Sequence, residues 1–248
     1  MKNHVWKSLT ALFSVLVFLT LPFALRADVL LVDRFDQELN TQIWSPSDAA
    51  AVYVKDGVAV LDQAGSGGDW VGLDGQEIFP DCVIYYKWTI VEYSGTGDTG
   101  GYLRKDPVLP GGYIMRWGYG TVSLRDSQDH APQNAWDPFP GASSPLPANS
   151  FNFELKAALV SPDIRIQIFD LDANNLIADW EVNDDWYLSG SLRFDCYKFG
   201  IVNIDNVIVG TPDMEETIFS EKFDSETLEA AVEADDKLIT TWSKIKSQ

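Results

Sequence analysis

Cysteine and histidine are both scarce in this chain, two of each in 248 residues. Past residue 27 a single histidine remains, His130, and neither Cys82 nor Cys196 has a His or Cys neighbour at metal-ligand spacing. That argues against a zinc site. It also argues against a Ser–His–Asp triad, because no nucleophile-elbow sequence accompanies the lone histidine. Basic residues are few: 18 Lys and Arg stand against 37 Asp and Glu. Three of the basic ones (Lys2, Lys7 and Arg26) lie in the first 27 residues, leaving 15 against 37 and a charge of −22. Such an excess disfavours nucleic acid or an anionic membrane as partner and favours divalent cations. No long apolar run follows Leu25, so no membrane span is expected beyond it.

The one long apolar run that is present, Leu9 to Leu25, sits behind Lys2 and Lys7 and ends near Ala27. This pattern predicts a secretory signal peptide over residues 1–27 and an extracellular or periplasmic mature protein. An uncleaved anchor is the alternative, and the run is slightly short for a span. In an oxidising compartment, an even pair of cysteines predicts a Cys82–Cys196 disulfide. Two buried free thiols are the alternative.

The rest reads as strands. Asp28 to Phe35, Ala50 to Val54, Gly57 to Leu61, Cys82 to Val91, Gly101 to Arg104, Gly112 to Trp117 and Thr121 to Arg125 are β-branched, aromatic or alternating, with turn residues between them. Phe151 to Val160, Ile164 to Asp170, Leu176 to Val182 and Leu192 to Phe194 continue the series, and Ile201 to Gly210 closes it. The segment from Ser127 to Ser150 carries five prolines and reads as one long irregular loop. No convincing helix precedes residue 211, which predicts an all-β, two-sheet sandwich over residues 28–210. Residues 211–248 change character: they are acidic, and Leu228, Val232, Leu238, Ile239 and Trp242 form an apolar stripe that predicts a short C-terminal helical tail.

Three pieces carry a resemblance. An Asp-Arg-Phe-Asp start leads to Leu39 and Trp44, a Lys-Asp-Gly-Val-Ala-Val-Leu hairpin strand follows, and Ile-Asp-Asn-Val-Ile-Val comes far downstream. The chain from 28 to 210 resembles the concanavalin A-like lectin/glucanase superfamily, with its laminin G-like and laminarinase-like members. The resemblance implies an antiparallel jelly roll with its first and last strands side by side. It also implies a structural calcium held by the main-chain carbonyls of Arg34 and Gly57 and by the Asp205 carboxylate, which is suitable oxygen-donor chemistry. Asp205 interrupts an apolar strand, and a lone buried carboxylate needs a partner. A turn or backbone hydrogen bonds are the alternative for it.

The Glu-x-Asp-x-x-Glu run of the laminarinase-like hydrolases is missing, and with it the acid pair that glycoside hydrolysis uses. A polysaccharide lyase would find its residue types in Arg104, Arg116, Gln128, His130 and Tyr197, although their spacing does not match. Alternation places Tyr113, Met115 and Trp117 on one strand face and Arg116 on the other, with Arg125 opposite Leu124 and Arg104 opposite Leu103. Arg104, Arg116 and Arg125 are thus expected on one outer sheet face, where guanidiniums bind carboxylates or sulfates. Tyr102 and Trp136 are expected to stack on sugar rings there. The alternative is that each arginine pairs with a surface acid. Among the tryptophans, only Trp136 is expected to be exposed. The expected function is a secreted, non-catalytic module that binds an extracellular glycan, an acidic one in particular, or an extracellular protein. An extracellular lyase or hydrolase and a structural matrix module are the alternatives. In the last case, deleting Thr211 to Gln248 is expected to leave the sandwich folded.

Overall fold

A computed structural model describes residues 28–93, 97–108, 111–127, 137–220 and 223. The expected leader over 1–27, the residues Gln128, His130 and Trp136, and the apolar stripe of the tail lie outside them. Among the described residues, no helix is long and apolar enough to cross a membrane.

Among the described residues, fifteen strands run in chain order. They are β1 (Val29–Asp33), β2 (Trp44–Pro46), β3 (Val52–Lys55), β4 (Val58–Asp62), β5 (Trp70–Gly75), β6 (Cys82–Tyr93), β7 (Asp98–Lys105) and β8 (Gly112–Gly118). They continue as β9 (Thr121–Asp126), β10 (Pro138–Pro145), β11 (Asn152–Val160), β12 (Asp163–Asp170), β13 (Asn175–Asn183), β14 (Ser191–Tyr197) and β15 (Gly200–Gly210). One sheet has eight strands in the order β13-β12-β11-β6-β15-β4-β3, with β1 also on β15; the other has seven, in the order β10-β9-β8-β7-β14-β5-β2. Every pairing in both sheets is antiparallel.

The closing strand organises the larger sheet. One edge of β15 pairs with β6 along most of its length; the other pairs first with β4 (Ile201 to Ile204) and then with β1 (Val207 to Gly210). The changeover falls on Asp205-Asn206, where the register shifts and Asn206 takes a positive φ of 51°. The polar interruption in this apolar strand is therefore a bulge at the junction of two partners. First and last strands lie side by side, as the resemblance implies. Between the sheets, alternate residues interdigitate around Trp44, Tyr86, Trp88, Trp117 and Phe194, with the Trp88 and Trp117 rings stacked at 5.2 Å. Asp33 accepts from the Trp44 indole nitrogen at 2.7 Å, which ties the opening strand to that anchor.

Three expectations need correction. The stretch from Ser127 to Ser150 is not wholly loop, because β10 runs through it. Its Pro138, Pro140 and Pro145 are tolerated because β10 is an edge strand, where missing N–H donors break no ladder on the open side. The Cys82–Cys196 disulfide is absent, and both thiols are free and buried. Cys82 opens β6, whereas Cys196 lies by Gly200, which pairs with Tyr93 at the far end of the same strand. Cys82 neighbours Arg104 and Cys196 neighbours Thr99, five residues apart along β7, so the two thiols are separated by roughly 15 Å or more, against the ~7 Å limit on Cα separation for a bridge. Finally, the start of the tail is part of the folded body. A 3-10 turn (Pro212–Met214) and the one-turn α2 (Glu215–Ile218), the second such helix after α1 (Gln63–Ser66), lie on the outer face of the eight-stranded sheet. There Met214 and Ile218 are buried against Val83, Tyr85, Ala158 and Ile208, and Phe223 meets the Tyr85 ring at 4.9 Å. Deleting Thr211 to Gln248 would uncover that apolar patch.

Candidate functional site

The outer face of the seven-stranded sheet is the candidate site. Side chains alternate along each strand, so strand registers arrange this face in rows running across the strands. The first row reads Asp74, Arg193, Tyr102, Ile114, Arg125. The second reads Gly72, Asp195, Gly100, Arg116, Ser123, and the third Trp70, Tyr197, Asp98, Gly118, Thr121. The middle row is a buried floor: Ser123 is 0% exposed, Asp195 2% and Arg116 7%, with Gly72 and Gly100 buried beside them.

That floor has specific consequences. A Cβ on Gly72 would collide with the Trp70 indole, so the ring lies down across the glycine while remaining 36% exposed. Neighbouring Tyr197 is 41% exposed. The Arg193 guanidinium stands 4.5 Å from the Trp70 ring centre and 5.7 Å from that of Tyr102, within cation–π range of both. At Gly100 a Cβ would collide with the Met115 carbonyl. The bare backbone there lets the Arg116 side chain cross two strand spacings, roughly 9–10 Å, to Asp195, which accepts from Nη1 at 2.6 Å. Asp98 lies 3.5 Å from the same nitrogen.

The electrostatics follow from this packing. Burial pushes the Asp195 carboxyl above its usual range, and the guanidiniums of Arg116 and Arg193 pull it back. Asp74 accepts from Lys105 Nζ at 2.7 Å and lies 3.7 Å from Arg193. Arg125 donates from Nε to Ser123 at 2.8 Å. Burial holds its pKa below the usual guanidinium value, with Arg116 adding to the effect and Asp98 and Asp137 opposing it.

The expected ligand-binding residues divide accordingly. Tyr102, Arg116 and Arg125 share the outer face, where Arg116 is buried and the other two are half-buried, and Trp136 lies outside the described residues. Arg104 does not share it. A register shift between Tyr102 and Arg104 sets Arg104 opposite Tyr113, a core residue, so its side chain turns inward. Only 1% exposed, it donates to the carbonyls of Tyr187 (2.7 Å), Leu159 (2.9 Å) and Pro80 (3.1 Å), with Asp81 at 3.5 Å. It clamps one end of the sandwich. Sequence reasoning missed Trp70, Asp98, Arg193 and Asp195. The signal for the last two was the alternation Arg193-Phe-Asp195-Cys-Tyr197, polar on one face and apolar on the other. Trp186 is also exposed, at 52%, but lies outside the sheets.

The three residues expected at calcium also come together. Arg34 and Asp36 follow β1, Gly57 lies in the β3–β4 turn, and Asp205 occupies the β15 bulge that separates those two partners. Burial raises the Asp205 carboxyl; Asn206 and Lys87 lower it, Asp36 raises it and Arg34 lowers it. Asp36 Oδ1 comes 4.0 Å from where a Gly57 Cβ would stand. Among the described residues, no three His, Cys, Asp or Glu side chains gather as a metal cluster. Any ion here would rest on carbonyls plus one or two carboxylates, an all-oxygen set suited to a hard cation.

In fold, the chain is similar to a prokaryotic β-1,3-1,4-glucanase (lichenase) derived from a mouse hindgut metagenome. Identity is 12% and the TM-score 0.55, over 73% of this chain and 98% of that one. It is similar to the Bacillus licheniformis β-glucanase at 10% identity and a TM-score of 0.54, over 73% and 97% of the two chains. It is also similar to a galectin-like-fold protein from Bacillus subtilis at 13% identity and a TM-score of 0.55, over 74% and 97%. These likenesses show the fold, an antiparallel two-sheet jelly roll. No protein-family model matches the chain, and no curated protein matches it.

Proposed function

We propose that this chain is a secreted, non-catalytic β-sandwich that binds extracellular carbohydrate on the outer face of its seven-stranded sheet, at the exposed end around Trp70. One observation carries the reading: the exposed Trp70 ring lies down over Gly72, with Arg193 held between it and Tyr102 and the exposed Tyr197 beside it. A sugar offers an apolar C–H face and a rim of hydroxyls. A flat aromatic surface receives the first, and fixed guanidinium and carboxylate groups receive the second.

The state of the acids supports binding over hydrolysis. Hydrolysis needs one carboxyl free to give a proton and a second free to attack or to activate water. Here Asp195 is 2% exposed and bonded to Arg116, and Asp74 is bonded to Lys105. These carboxylates serve to hold the cations in place. Asp98 and Asp195, both close to Arg116 Nη1, are the pair a hydrolase reading would use. Calcium, where bound, would be held by the carbonyls of Arg34 and Gly57 with Asp205 and Asp36. It would supply a fixed positive charge joining β1, the β3–β4 turn and β15.

The test is a glycan array on the purified chain, with and without calcium, followed by product analysis on every glycan bound. The fold neighbours named as glucanases make β-glucans the first neutral probes. Binding without new reducing ends or unsaturated products is the expected result. Released products would assign an enzyme, with Asp98→Asn and Asp195→Asn as the variants to follow. A blank array would overturn the carbohydrate reading and leave protein recognition in its place.

A further inference from the structure

The outer face of the eight-stranded sheet also falls into rows across its strands. The first row holds Val83, Ala158 and Arg165, the second Tyr85 and Lys156, and the third Glu154, Phe169 and Leu176. Among the described residues, the segment after β15 covers the first two rows in turn. Met214 and Ile218 pack on Val83, Tyr85 and Ala158, and the Phe219 ring lies 4.6 Å from the Arg165 guanidinium. Four residues on, Phe223 meets the Tyr85 ring at 4.9 Å and lies 5.4 Å from Lys156 Nζ. Lys156 also donates to the Ser220 carbonyl at 3.3 Å, which pins the chain to the second row.

The third row is left with an apolar pair, Phe169 on β12 directly opposite Leu176 on edge strand β13. A groove of about 560 Å³ opens there, lined by that pair together with Phe219 and Phe223. Leu176 is 48% exposed. We infer that this groove is filled by the chain's own continuation, with Leu228 and Val232 covering Phe169 and Leu176. The chain passes Phe223, which itself lines the groove, and the sequence runs on from Asp224 to Gln248. The apolar spacing continues as well. Met214, Ile218 and Phe223 already pack on this face at intervals of four and five residues, and Leu228 and Val232 follow at five and four. Five residues at a helical rise advance about 7.5 Å, against about 7 Å between rows. Leu228 thus falls one row beyond Phe223, where water-exposed apolar surface awaits a cover. Attachment at Phe223 gives this segment a high effective concentration over a second copy or a free partner. The inference concerns the face opposite the proposed carbohydrate site and is independent of it.

The test uses an engineered thiol, because Cys82 and Cys196 are both buried. Maleimide reaction rates are measured on the full chain carrying Leu176→Cys, alone and with Leu228→Asp and Val232→Asp. Val108→Cys, at a position 87% exposed, is the reference. The thiol of Leu176→Cys is expected to react at least about tenfold more slowly than the reference, and the two aspartates should remove that protection. Each variant is checked for a cooperative melting transition. Should the aspartates prevent folding, a second measurement decides: Leu176→Cys paired with Leu228→Cys or Val232→Cys is oxidised under native conditions. One of these pairs is expected to cross-link within the monomer, and Val108→Cys with Leu228→Cys is not. Equal rates at Leu176→Cys and Val108→Cys in the full chain would overturn the inference, as would protection that the aspartates leave unchanged. Protection lost on dilution would put a second copy in the groove and overturn it too.

Discussion

Arg104 and Arg116 are alike in the sequence and opposite in the structure. Both fall in strands rich in aromatics, and simple alternation puts both on the solvent side. A one-residue register shift beside Tyr102 turns Arg104 into the interior, where it caps three carbonyls. Removing it leaves those acceptors unsatisfied in a buried place. Arg104→Ala is expected to cost about 3 kcal/mol and to lower Tm by roughly 6–12 °C. Thermal melting checks this, and a change within 2 °C would mean that water replaces the guanidinium at little cost. A bulge is a backbone event with no side-chain signature of its own, so this inversion was not legible. The roles of Arg116 and Arg125 were half legible: alternation gave their face correctly, but Gly100 as the gap that lets Arg116 reach Asp195 requires knowing which strands are neighbours.

Among the elements, β15 was the best read and β10 the worst. The apolar run of β15 announced a central strand, and the Asp-Asn break within it marks the handover from β4 to β1. The prolines of β10 concealed a strand because sequence alone does not say which strand is an edge. The β15 bulge also gives the calcium proposal a signed test. Burial holds the folded-state pKa of Asp205 above its ordinary 3.8, so the folded chain favours the protonated form. In metal-free protein this group therefore costs stability as pH rises from about 3.8 through its folded pKa, and protonation at lower pH removes the cost. A cation bound to the ionised carboxylate reverses that. Millimolar calcium is accordingly expected to raise Tm more at pH 7 than at pH 4, and Asp205→Ala should abolish the increment. A Tm unchanged by calcium and by chelator in both proteins would dispose of the metal.

For the whole molecule, the alternating strands and the three resembling pieces were enough to give the jelly roll. The cysteines were misread because an even count carries no distance. They lie on β6 and β14 of opposite sheets, well apart, and burial pushes each thiol up to about 11, protonated at neutral pH. The intact chain should resist a thiol reagent until denatured, then show two reactive groups without prior reduction. An unreactive denatured chain would contradict the free-thiol account. The proposed site lies on one face of the folded whole, and that face joins residues from five strands scattered between 70 and 197 along the chain.

Its most direct test is calorimetric titration of the tightest glycan from the array into the intact chain, Trp70→Ala and Trp186→Ala. The last variant removes a more exposed indole away from the sheets. Stacking on the outer face predicts a loss of about tenfold or more in Trp70→Ala and native affinity in Trp186→Ala. Native affinity in Trp70→Ala would contradict it and move the binding site off this sheet.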